Sequence, residues 1–241
     1  MYPRTVQVNA EPHRVAAGCG VLSALLSLLG VALSFDIEGA YRPGTLDRWF
    51  YAAQQHSGAA AWSAWSFTLS MALMVPWAAG LARAIGPYAW PGAALTMMAA
   101  IINAGGSLLP FVAVTHLPHG EDALGQTLLA VALTADALFN LLWGVSMVLL
   151  SLAMARATHL PMWLSGWGLV AGVMSMGVVG QAWTPVAADF LLVAGPTWLG
   201  WLVTTCAVLL RLPTRKPRAD NDPAGRKQDP PLVARQAASA K

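Results

Sequence analysis

Charge is what this chain has least of. Of its 241 residues, 10% are Asp, Glu, Lys or Arg and 56% are hydrophobic, whereas a soluble globular domain is about 25% charged. That deficit is too large for a surface facing water, and lipid is the solvent that removes the need for charge. Cysteine is scarce as well. The two present, Cys19 and Cys206, cannot form a disulfide framework and read as small packing residues. No Gly-rich phosphate loop follows a strand, and no Gly-x-Ser-x-Gly nucleophile elbow occurs. No midplane pair of histidines marks a b-type haem: His56 and His116 fall at helix boundaries and His159 in a loop. The alternation of barrel strands is missing, and so is the internal repeat of many secondary transporters. No cofactor and no nucleic-acid partner is expected.

What the chain does have is six apolar blocks, near or above the ~20 residues that cross a ~30 Å hydrocarbon core. They run over 15–35, 58–83, 91–115, 123–155, 162–182 and 189–210. Backbone polar groups in lipid must be satisfied within the segment, so the blocks read as helices. The fold class is all-α: a polytopic membrane bundle of six transmembrane helices spanning 15–210, with a short N-terminal segment over 1–14 and a basic tail over 211–241. Ala32-Leu33-Ser34 has the look of a signal-peptide cleavage site. The apolar run before it exceeds the usual 7–15 residues of a signal core, so the first block is expected to be retained.

The basic residues are unevenly placed. With the N-terminus inside, twelve of the fourteen Lys and Arg residues fall on the cytoplasmic side: Arg4, Arg14, Arg83, Arg156 and eight in the tail. Only Arg42 and Arg48 fall outside. The positive-inside rule therefore predicts that both termini are cytoplasmic, in a bacterial inner membrane. The tail carries Pro213, Pro217, Pro223, Pro230 and Pro231 among its charges and reads as a solvated topology anchor. In the long outer loop, Leu46, Trp49, Phe50 and Ala53 share one helical face. This pattern suits a helix lying in the headgroup plane, with a lid over an outward-facing cavity as the alternative. Trp62, Trp65, Trp90, Trp163, Trp167 and Trp183 sit near helix ends, as aromatic belts do.

One acid breaks the pattern. Asp136 lies roughly 18 Å into the fourth block at 1.5 Å per residue. A carboxylate at that depth costs at least ~2.5 kcal/mol on insertion scales. It must be neutral, paired or in contact with water, and no Lys or Arg lies within the central part of any block. Asn140 follows one turn later on the same face, and Asn103 lies near the middle of the third block. Asn103, Asp136 and Asn140 are expected to form one polar cluster, either a proton-coupling or substrate-binding site or a set of interhelical hydrogen bonds. A weaker constellation is His116-Leu-Pro-His119-Gly-Glu121-Asp122, with His56 on the same membrane face. Imidazole and carboxylate together suit zinc or a similar ion. The spacing, however, matches neither a helical i,i+4 ligand pair nor a metalloprotease helix.

The fifth block carries Gly166, Gly168, Gly172, Gly177 and Gly180. Its Gly168-x-x-x-Gly172 face permits close helix approach, within the bundle or against a second copy or another membrane protein. Pro76, Pro110 and Pro196 lie inside blocks two, three and six. The run from Leu138-Phe-Asn-Leu-Leu-Trp-Gly-Val145 through Ala155-Arg-Ala-Thr-His-Leu-Pro161 to Trp163-Leu-Ser-Gly-Trp-Gly-Leu169 resembles the bacterial polytopic family known as domain of unknown function 4386. Chain length, helix count and a long first outer loop agree over about residues 15–210. The resemblance implies a multi-pass membrane protein without an assigned activity and transfers no catalytic residue. The expected role is small-solute or proton-linked transport or sensing, with Asp136 as its ionisable switch. An accessory protein that binds a membrane partner is the alternative, and a membrane enzyme with an outer-face acid/His site is a third; an enzyme is the less favoured class.

Overall fold

A computed structural model of the chain describes residues 10–34, 46–117 and 122–212. The N-terminal segment over 1–9, much of the long loop and the tail beyond Leu212 lie outside the described residues, so the expectations for them are not addressed.

The described residues are helical throughout, without strands. The helices are α1 (Ala10–Ser34), α2 (Leu46–Gln55), α3 (Ser57–Ile85), α4 (Trp90–His116), α5 (Asp122–Ala155), α6 (Met162–Gly177) and α7 (Pro185–Arg211). Short 3-10 turns cover Pro87–Ala89 and Val178–Ala182. Among the described residues, six helices are long and apolar enough to cross a membrane. Their bounds follow the six blocks, with the fifth ending in the 3-10 turn rather than as continuous α-helix. The architecture fits a multi-pass membrane protein.

In space the spans form a ring. α1 packs on α3, α3 on α4, α4 on α5, α5 on α6, α6 on α7, and α7 closes back on α1. α5 is the most buried span. Lipid supplies no hydrophobic drive for one apolar helix to seek another, so small residues and polar side chains make these seams. Between α1 and α3, the Ser70 hydroxyl lies 2.9 Å from that of Ser23 and 2.7 Å from that of Ser27, and Ser63 donates to the Gly30 carbonyl at 2.9 Å. Ser146 of α5 donates to the Gly92 carbonyl of α4 at 2.8 Å. Ser165 of α6 donates to the Ser151 carbonyl at 2.6 Å, and Trp201 Nε1 of α7 donates to the Leu164 carbonyl at 3.1 Å.

The glycine face of α6 is used within the protein. A Cβ on Gly172 would run into the backbone carbonyl of Gly144, and one on Gly168 into Ser151 and Trp201. Both glycines are buried against α5 and α7. The outward face of α6 is a different one, carrying Gly166, Val170 and Val173.

The two ends of the ring differ. At one end α1 begins and α7 finishes, with Gly20 tight against Cys206 and Trp77. Arg83 and Arg211 close α3 and α7 there. α3 stops at Gly86, whose φ of 117° is open to glycine but strained for other residues. His159 Nε2 donates to the Ala84 carbonyl at 3.1 Å, and the Arg156 guanidinium sits 5.5 Å over the Tyr88 ring. Inward of this basic end lies a buried aromatic core. Trp77, Trp143 and Trp201 are fully buried, with ring centroids 6.0, 6.0 and 6.4 Å apart. Of the tryptophans read from sequence as belts, Trp62, Trp65, Trp90, Trp163 and Trp183 are exposed, whereas Trp167 is half-buried against Gly200 of α7. Cys19 and Cys206 are free thiols at this end, as packing residues would be.

Candidate functional site

The opposite half of the ring is hollow. A cavity of about 880 Å³ lies among α1, α3, α4, α5, α7 and the Val178–Ala182 turn, with Trp49 of α2 beside it. Short side chains make up part of its wall. Ala24, Ser27, Ala60, Ser63, Ala64, Gly106, Ala132 and Gly195 stand where the other half carries tryptophan. Phe139 and Trp198 line the cavity and also pack on Trp143, with centroids at 6.3 and 5.9 Å. The aromatic core is therefore the floor of the cavity.

Asp136 faces this space from α5. Asn140, one turn along, donates from Nδ2 to the Asp136 carbonyl at 2.9 Å and reaches Asp136 Oδ2 at 3.5 Å. Gln181 Nε2 donates to the same Oδ2 at 2.5 Å. Two amides thus converge on one carboxyl oxygen, and no Lys, Arg or His is among the residues lining the cavity. Asn103 lines the same cavity from α4 and accepts a hydrogen bond from Ser107 Oγ at 3.2 Å. The expected trio is therefore divided: Asn140 touches Asp136, while Asn103 shares its cavity without bonding to it. The partner that sequence reasoning missed is Gln181, which is almost fully buried. It is 45 residues from Asp136 and reaches it because the chain tightens into a 3-10 turn at the end of α6.

Pro110 and Pro196 also line the cavity. Proline has no N–H to bond the carbonyl four residues earlier, so the Gly106 and Leu192 carbonyls lose their helical donors. α2 docks at this end through Phe50 and Ala53, both buried, and a Cβ on Gly125 of α5 would meet the Phe50 ring. The face read from sequence is the docked one. Trp49 of α2 lines the cavity.

The histidine constellation is only partly described. His56 is exposed at the start of α3. His116 is exposed at the end of α4, its Nδ1 2.5 Å from the Thr115 hydroxyl and its ring 5.4 Å from Phe111. His119, Glu121 and the Asp122 side chain lie outside the described residues, among which no three His, Cys, Asp or Glu side chains gather as a metal site would require.

Fold and site together define a six-helix apolar bundle with an internal, acid-bearing cavity in one half. Comparison of the chain with protein-family models, curated proteins and solved structures gives no match, so the arrangement of residues carries the functional argument.

Proposed function

We propose that this chain is a multi-pass protein of a bacterial inner membrane, with both termini cytoplasmic, that binds a small solute in the bundle cavity and couples its occupancy to Asp136 in transport or sensing. The observation that carries this reading is Asp136 on the wall of an ~880 Å³ cavity, held by the amides of Asn140 and Gln181. A volume in the range of about 300–1,000 Å³ with a few convergent polar groups is that of a small-molecule site, and an ionisable side chain inside a membrane bundle is characteristic of a substrate or proton path. The gathering of Arg14, Arg83, Arg156 and Arg211 at the end away from the cavity supports the cytoplasmic assignment of that end. The cavity half then faces the outer side.

Infrared difference spectroscopy on the reconstituted protein tests the role of Asp136. The expected result is a carboxyl band, absent from Asp136→Asn, that responds both to bulk pH and to occupation of the cavity. A band indifferent to both would overturn the switch.

A second reading, an accessory protein that docks on a membrane partner, is favoured by one observation. Gly166, Val170 and Val173 share the outward face of α6, and the space around Gly166 is open. Loss of a co-purifying membrane protein on Gly166→Trp, with Asp136→Asn indifferent, would favour it. A membrane enzyme acting through Asp136 or the His116–Asp122 loop is the third reading, and no specific geometry favours it.

A further inference from the structure

The geometry points to the class of solute: an amphipathic cation, an apolar body with one positive charge, that enters sideways from the bilayer between α1 and α7. This deepens the cavity reading above and rests on it. Three observations carry it.

The first is charge. Among the described side chains that face the cavity from α1, α2, α3, α4, α5, the 178–182 turn and α7, only that of Asp136 titrates, and none is basic. An anionic head such as a phosphate finds no counter-charge there. A cation finds a carboxylate, and a buried charge needs a partner of opposite sign. The site therefore holds one positive charge at a time, either the proton on Asp136 or the solute's own, and the two compete for the same oxygens.

The second is the wall. Most of the lining is aliphatic or aromatic. The rings of Phe67, Phe139 and Trp198 face the same space as Asp136, and aromatic faces attract cations. The protein's own amide donors near the carboxyl, Asn140 Nδ2 and Gln181 Nε2, are already directed at Asp136. The other polar groups on the wall, the Asn103 amide and the hydroxyls of Ser27, Ser34, Ser63 and Ser107, are neutral, so no formal positive charge opposes a cation on a greasy body.

The third is access. Leu28 and Val31 of α1 and Leu191 and Leu192 of α7 line the cavity and are exposed, Leu192 at 72%. The two helices meet tightly near Gly20 and Cys206 and carry this exposed lining about 12–17 Å further along α1 and about 21–23 Å further along α7, at 1.5 Å per residue. Apolar residues at such a seam suit a solute already dissolved in the membrane and offer nothing to a hydrophilic one.

The test uses a pair of probes of the same shape and opposite charge, tritiated tetraphenylphosphonium and tetraphenylborate, with the full chain in lipid nanodiscs. The expected result is saturable binding of the cation, at least about tenfold tighter than the anion. It should tighten as pH rises, because protons are the competitor. In Asp136→Asn the preference and the pH slope should both vanish while the anion still binds. Val31→Trp and Leu192→Trp, which place bulk at the seam, should slow association of the cation several-fold without abolishing it. Anion binding as tight as cation binding would overturn the cationic class and leave the cavity reading standing. Absence of saturable binding by either probe would overturn both. Wild-type association rates in the two seam variants would overturn lateral entry. The cation-to-anion ratio of the wild-type protein needs no variant, so a failure of Asp136→Asn to fold leaves the proposal testable.

Discussion

The two halves of the bundle are made by the same helices and filled in opposite ways. In the half near the chain ends, α3, α5 and α7 contribute Trp77, Trp143 and Trp201, which fill the interior completely. In the other half the same three helices contribute Ala60, Ser63, Ala64, Ala132 and Gly195 beside Asp136, and a cavity results. Backbone spacing need not change for this, because side-chain volume does the work. The filled half holds the helices in register, and the hollow half is free to carry a charge that a packed interior would reject. A membrane protein without a water-driven core has few means of anchoring itself around an empty space, and a cluster of indoles packed tilted and edge-to-face below that space is one.

Substitutions that attack the contrast should rank by how tightly their surroundings are packed. Trp143→Ala removes the centre of the aromatic slab and is expected to cost about 3–5 kcal/mol, read as a large drop in thermal midpoint in detergent. A loss no larger than that of a surface variant would mean that the slab is not what holds the spans. Leucine placed at two glycines gives a matched pair. Gly172→Leu drives a side chain into the Gly144 carbonyl and should cost about 1–3 kcal/mol, as over-packing does. Gly195→Leu points into open space on the cavity wall and should shift stability by no more than about 0.5 kcal/mol while reducing cavity volume and probe binding. Equal destabilisation by the two would erase the distinction between filled and hollow. Between these lies Ser70→Ala, which unties the hydroxyl bridge to Ser23 and Ser27. It is expected to cost about 0.6–2 kcal/mol, measurable in the same unfolding assay.

Much of the architecture was legible because each bilayer crossing leaves a compositional mark about twenty residues long, and the six spans followed those marks. The amphipathic face of α2 was legible for a similar reason: one turn repeats Leu46, Trp49, Phe50 and Ala53 toward the same side. Asp136 stood out because an acid in lipid is costly, and Asn140 because helical periodicity places it one turn away. Gln181 was not legible. Nothing in a run of Gly and Val announces a switch from α to 3-10 geometry, and its partner is far away in sequence. The tryptophans divided for the same reason. Those near helix ends could be placed by depth alone, whereas Trp77, Trp143 and Trp201 meet only through the packing of three separate helices. The cavity was the least legible feature, because a hollow is a difference between backbone spacing and side-chain volume, and neither is written locally. Asn103 shows that limit: depth put it near Asp136, but only packing decides that it shares the cavity without bonding to the carboxyl, its partner being Ser107 one turn along its own helix.

The Val178–Ala182 turn has a consequence in terms of membrane thickness. α6 has only 16 residues, about 24 Å at 1.5 Å per residue, short of a ~30 Å hydrocarbon layer. A 3-10 turn rises about 2.0 Å per residue, so the five residues of this one extend the span by about 10 Å where α-helix would add about 7.5 Å. It also turns about 120° per residue instead of about 100°, so by Gln181, its fourth residue, the side chain has swung about 80° from its α-helical bearing. The reach of the shortest span and the aim of the amide at Asp136 are therefore one geometric variable. A bilayer thin enough to let these residues relax into α-helix would turn Gln181 off the carboxyl, coupling the site to the lipid around it.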